Sequence, residues 1–284
     1  QRQMCIRDST TADKNNAFGY QALDANTTGT RNCAFGDSAL GANTTADGNT
    51  AFGSEALVAN TTGQYNVAIG HSALDANTTA NDNVAVGTNA LTSNTTGTNN
   101  TAIGSDSLQQ NTTANDNTAL GRSALQLNTS GTQNTAVGSN ALDANTTANY
   151  NTAVGNHALS ATTTGGNNVA VGQAALFYQT TGTNNVGIGR DALHFNTTAS
   201  QNTALGFRSL YANTTGTQNV SVGAFALDTN TTGTSNVAVG WGALSSDDAQ
   251  VGCVAIGLEA FKRLTAGNHN IAIGHQAGDH YTST

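Results

Sequence analysis

Few residues of this chain are of the types that perform chemistry, and those few are not grouped. The six histidines, His71, His157, His194, His269, His275 and His280, are scattered. No carboxylate pair, activated nucleophile, phosphate loop or Asp-rich calcium repeat recurs. The expectation is a non-enzymatic chain with no catalytic, cofactor-binding or metal residues. His269, His275 and His280 are the one set near enough in sequence to gather round an ion, and solvated loop histidines explain them as well. Cys5, Cys33 and Cys253 form neither a zinc-ligand set nor an even-numbered disulfide framework.

Two sets of residues stay of interest. Eleven Asn-x-Thr/Ser sequons occupy the equivalent turn of the repeat, at Asn26, Asn43, Asn60, Asn77, Asn94, Asn111, Asn128, Asn145, Asn196, Asn213 and Asn230. On an exposed turn of a secreted protein these asparagines are candidate N-glycan acceptors. They are also one motif copied, and Asn-Thr-Thr is good turn chemistry in itself. The second set is aromatic: Phe177, Tyr178, Phe195, Phe207, Tyr211, Phe225 and Trp241, with Arg190 and Arg208 among them. Stacked in successive layers, they would form a stripe able to receive a sugar ring or a partner, or else simply cover a corner or seam.

What positions these residues is a repeat. Glycines recur every 17 residues at sixteen positions, from Gly19 through Gly70 to Gly274, without insertion or deletion. One copy reads Asn66-Val67-Ala68-Ile69-Gly70-His71-Ser72-Ala73-Leu74-Asp75-Ala76-Asn77-Thr78-Thr79-Ala80-Asn81-Asp82. Asn stands four residues before the glycine in fifteen of sixteen copies, and Leu four residues after it in fourteen. Residues 1–11 fall outside the pattern and are expected to be a non-repeat leader of artefactual origin. Regular repeats are expected over 12–244, and degenerate repeats over 245–284 of a chain that reads as truncated.

Seventeen residues are too few for a pair of packed helices. The Val-Ala-Ile type segment is β-branched and alternates large with small, as a short strand does, while Gly and Asn-Thr-Thr supply turns. The predicted fold is all-β: a parallel β-solenoid, or β-roll, of sixteen 17-residue coils. Placing Ile69 and Leu74 inside leaves Ala68 and Gly70 as a smooth outer face suited to another chain, which predicts an oligomer and most simply a trimer. The Asn66 column is expected to stack as an amide ladder.

Composition narrows the partners. Of the 284 residues 9% are charged and 5% aromatic, with no proline and a formal charge of −8. There is no basic stripe for nucleic acid, and no apolar run long enough to span a membrane. The expected partner is self, in an oligomer or an end-to-end filament, with a surface carbohydrate or protein as a second partner.

The string Asn-x-Ala-Val/Ile-Gly followed by Ala-Leu resembles the head repeat of trimeric autotransporter adhesins, and equally repeats in bacteriophage tail fibres, over nearly the whole chain. The unit here is three residues longer, at the Asn-Thr-Thr turn. The resemblance implies a left-handed parallel β-roll trimer on a cell or virion surface and an adhesive or fibre role. A self-assembling extracellular filament, glycosylated or bare, is the alternative. Ice binding by the repeated threonines is a remote one, because adjacent residues such as Thr78 and Thr79 point to opposite sides.

Overall fold

A computed structural model describes residues 12–246, 249–264 and 267–279. The expected leader, with Cys5, and His280 lie outside the described residues. The chain is all-β, a parallel β-solenoid with no helix among the described residues. It divides into two units, 1–147 and 148–284. The first holds the eight three-residue strands from Asn16–Phe18 to Thr135–Val137, and the second the eight from Thr152–Val154 to Ile271–Ile273. Within each unit every strand pairs in parallel with the next, one 17-residue repeat onward, as in Val67↔Val84 and Val237↔Val254.

The coil wall sorts side chains differently from the expectation above. Leu74 is fully buried, as expected, but Ala68 is buried as well and Ile69 is 39% exposed. The middle residue of each strand faces inward and the two flanking residues face out, so the small-residue column is core and not surface. The reason is space. Gly187 stands at an inward strand position, and a Cβ there would already lie 3.2 Å from Cγ of Leu176. One leucine and two alanines fill the bore, and an isoleucine beside them would overpack it. Each buried leucine contributes roughly 1.5–3 kcal/mol.

Turns are made by residues that bend the chain left-handed. In the coil beginning at Asn66, φ is 133° at Gly70, 52° at Ser72, 53° at Leu74 and 58° at Asp82. For non-glycine residues this costs roughly 1–2 kcal/mol, but it swings each N–H along the stack. Ser72 N–H reaches Ser54 O, Leu74 N–H reaches Ala90 O and Asp82 N–H reaches Gln64 O, at 3.0, 3.0 and 3.1 Å. Gly70 has no substitute, because a Cβ there would sit 2.5 Å from Gly87 O.

Two buried asparagine ladders run beside the leucines. In the expected one, Asn66 N–H and Nδ2 both donate to Asn49 Oδ1, at 2.9 and 3.2 Å, and Nδ2 also donates to Ala80 O at 2.8 Å. The second ladder consists of the sequon asparagines themselves.

Candidate functional site

The Asn-Thr-Thr turn presents threonine outward and asparagine inward. Asn77 Nδ2 donates to Asn60 Oδ1 at 2.9 Å and to Ala80 O at 3.2 Å, so Ala80 O joins the two ladders. Asn43, Asn60, Asn77, Asn94, Asn111, Asn128, Asn145, Asn196, Asn213 and Asn230 are all buried, and Asn26 is half-buried. An N-glycan bonds to Nδ2, the atom these ladders enclose. In the folded chain the ten buried asparagines therefore present no exposed Nδ2. Where the column departs from Asn it still bonds: Gln179 Oε1 accepts from Asn185 and Asn196, both at 3.0 Å, and Thr162 Oγ1 donates to Gln179 O at 3.2 Å. The threonine pair divides as expected. Thr61 Oγ1 is tied to Thr78 O at 3.0 Å, whereas Thr62 is exposed.

The aromatic residues gather in the second unit as two groups. Around His194, Phe177 and Tyr211 stack on its ring at 5.4 and 5.3 Å, and Tyr178 stacks on Phe195 at 5.3 Å. Near-parallel rings such as Tyr178 and Phe195, 5° apart, cover each other's faces and turn their edges outward. That arrangement secures a corner more than it offers a platform. The second group is open. Phe225 meets Phe207 at 5.2 Å and 88° and Trp241 at 5.9 Å and 73°, while Phe207 and Trp241 are 36% and 47% exposed. The expected single stripe is thus a closed cluster and an open one.

Charge around these rings is mostly paired. Arg190 Nε donates to Asp191 Oδ2 at 3.1 Å, and Lys262 Nζ donates to Glu259 Oε1. The bonds from Lys262 and Gln276 hold the Glu259 carboxyl below its usual range. Burial pushes the Asp228 carboxyl up, partly offset by Arg208. The Arg208 guanidinium lies 4.0 Å from the Tyr211 ring centre and 5.7 Å from that of Phe225.

The third surface, the outer side of the strands, is one that sequence reasoning missed. Its first column runs through Thr50, Val67, Val84 and Thr101, and its second through Phe18, Phe35, Phe52, Ile69, Val86 and Ile103. The outward positions of all sixteen strands carry no charged residue. Phe18, Phe35 and Phe52 are 54%, 42% and 52% exposed, with adjacent rings stacked at 4.7 Å. The readable signal was the absence of charge at the first and third strand positions.

Among the described residues no group of three or more His, Cys, Asp or Glu is placed to hold a metal ion, and no helix is long and apolar enough to cross a membrane. Cys33 is exposed and Cys253 buried, both as free thiols. No protein-family model matches the chain, and comparison with curated proteins gives no match.

Proposed function

We propose that this chain is a non-enzymatic structural segment of an extracellular fibre or surface adhesin, whose stacked coils project and display while copies associate through their outer strand faces as a homotrimer. The observation that carries this reading is the pair of uncharged columns, exposed or half-buried, that flank the inward residue of every strand. Eight strands at about 4.8 Å spacing and about 10 Å width give roughly 400 Å² per unit. Monomers rarely expose apolar patches beyond a few hundred Å².

Of the small-residue face first expected to make this contact, Ala68 is buried and Gly70 half-buried, so the β-branched and phenylalanine columns take its place. Hydroxyls of Thr50, Thr101 and equivalents leave the face half polar, which suits a coil that is exposed before assembly. Cryo-electron microscopy of the purified protein tests the reading. Cross-sections with three chains, strand faces turned to a common axis, are expected. Single coils with strand faces in solvent would contradict it.

A further inference from the structure

We propose that Phe207, Trp241 and Leu258 carry the associating surface of the second unit round its edge, and that a second copy of this chain covers them, with Trp241 seated against that copy's outer strand face. The inference rests on the reading that copies associate through their strand faces, and it names the contact that anchors them.

One glycine alone separates each of these residues from the strand before it, in Leu205-Gly206-Phe207, Val239-Gly240-Trp241 and Ile256-Gly257-Leu258. Two residues of chain span at most about 7 Å, so strand face and corner form one surface. Leu205, Phe207, Trp241, Ile256 and Leu258 are all between 36% and 47% exposed. Phe225 meets both Phe207 and Trp241 and fills the interval between them, so the corner is a filled surface and not a cleft for a small ligand. Such a surface fits another surface. The same coils carry Val220, Val237 and Val254 at the first strand position, where Thr101, Thr118, Thr135 and Thr152 stand earlier in the chain. In the first unit the corner position carries polar residues such as Ser54, His71, Ser105 and Arg122. Apolar corner and apolar strand face thus coincide.

Charge is neutralised at both ends of this patch. Arg190 lies over the Phe207 ring at 5.1 Å and is bonded to Asp191, and Lys262 lies over the Trp241 ring at 5.5 Å and is bonded to Glu259. An apolar centre with a paired polar rim is the anatomy of a protein interface. Area points to the occupant. The strand face of one unit supplies roughly 400 Å², half of the roughly 800 Å² that each partner of a stable complex buries. Covering a half-exposed tryptophan adds roughly 100 Å² more, and the uncharged strand face of another copy is the matching surface this chain offers. Corner and strand face are different patches, so the contact is heterologous, the kind that closes into a ring of copies.

Trp241 is the only tryptophan in the chain, so its emission reports on the corner. The test compares acrylamide quenching of the intact protein with that of the variant carrying Ile103→Glu and Ile188→Glu, which separates the copies, and follows mass by sedimentation equilibrium. Quenching at least about threefold weaker in the parent is expected, since an interface anchor is shielded from water. Leu258→Ser and Trp241→Ser should each raise the dissociation constant at least about tenfold, and Trp241→Phe, which keeps a ring and guards against a folding defect, should raise it less. Leu127→Ser, on an exposed residue of the first unit outside the strands, should associate as the parent does. A three-chain parent whose Trp241 is quenched as in the separated variant, or Leu258→Ser and Trp241→Ser that both associate as the parent does, would overturn the corner contact and leave association through the strand faces standing. A parent that sediments as a single chain would overturn both.

Discussion

The hydroxyl of Ser209 donates to that of Ser221, 2.7 Å away, and Ser221 Oγ donates in turn to Ala226 O at 2.8 Å. Both serines are fully buried, at positions that alanine fills in most coils. Two polar intrusions into a thin core therefore satisfy each other. Ser209→Ala or Ser221→Ala alone should cost about 1 kcal/mol by breaking one link. The double variant restores the usual alanines and should cost less than the sum by about 0.5 kcal/mol or more. A denaturant-unfolding cycle measures this, and strict additivity would mean that the pair is not coupled.

The sequon asparagines make a second case. Asn111 Nδ2 donates to Asn94 Oδ1 at 2.9 Å, and its Oδ1 accepts from Asn128 at 3.0 Å. Asn111→Ala should lower unfolding stability by about 1–3 kcal/mol, because it leaves buried partners unmade. Folded protein from a glycosylating host should show no mass change at Asn111 on treatment with an N-glycanase. Glycan released from that position in folded material would refute the inward placement.

These residues show what was readable in advance. The strict spacing of Gly70 and its equivalents, with turn residues between, suffices for a stacked β-coil, since only layered packing explains a fixed short period. Facing was less readable. Alternation in Val67-Ala68-Ile69 says that alternate residues share a side, but not which side is inside. The bore decides, and its width depends on where Leu74 lies. The sequon reads three ways because Asn-Thr-Thr satisfies turn chemistry, glycosylation and amide stacking alike, and the burial of Asn77 emerges only from the structure. Arg208 stood among the aromatics in the sequence, but its stacking over Tyr211 and Phe225 emerges only from geometry.

Facing yields its own prediction. Ala102 is fully buried and Ile103 is 38% exposed. Ala102→Ile should destabilise by about 1–3 kcal/mol through overpacking. Ile103→Thr should change the stability of a separated chain by less than about 0.5 kcal/mol. Thermal unfolding of the two variants distinguishes them, and the reverse order would restore the orientation first expected.

Asp228 gives a dependence on pH. Burial raises its carboxyl above the ordinary 3.8, with Arg208 opposing. A raised folded value means that its stabilising contribution is present below pH 3.8 and is lost as pH rises through the folded value. Asp228→Asn removes that loss. The variant should be the more stable at pH 7, with its advantage shrinking towards pH 3.8. Stability curves of the two proteins that run parallel across this range would show that burial does not govern Asp228.

The association of copies through the outer strand face is tested most directly by the solution mass. Ile103 and Ile188 are 38% and 36% exposed on that face, one in each unit. In sedimentation equilibrium the parent chain should have three times the mass of one chain. The variant carrying Ile103→Glu and Ile188→Glu should fall to a single-chain mass with an unchanged far-ultraviolet spectrum, because buried unpaired charge is costly. A parent chain that sediments as a monomer, or a variant that keeps the parent's mass, would contradict the account.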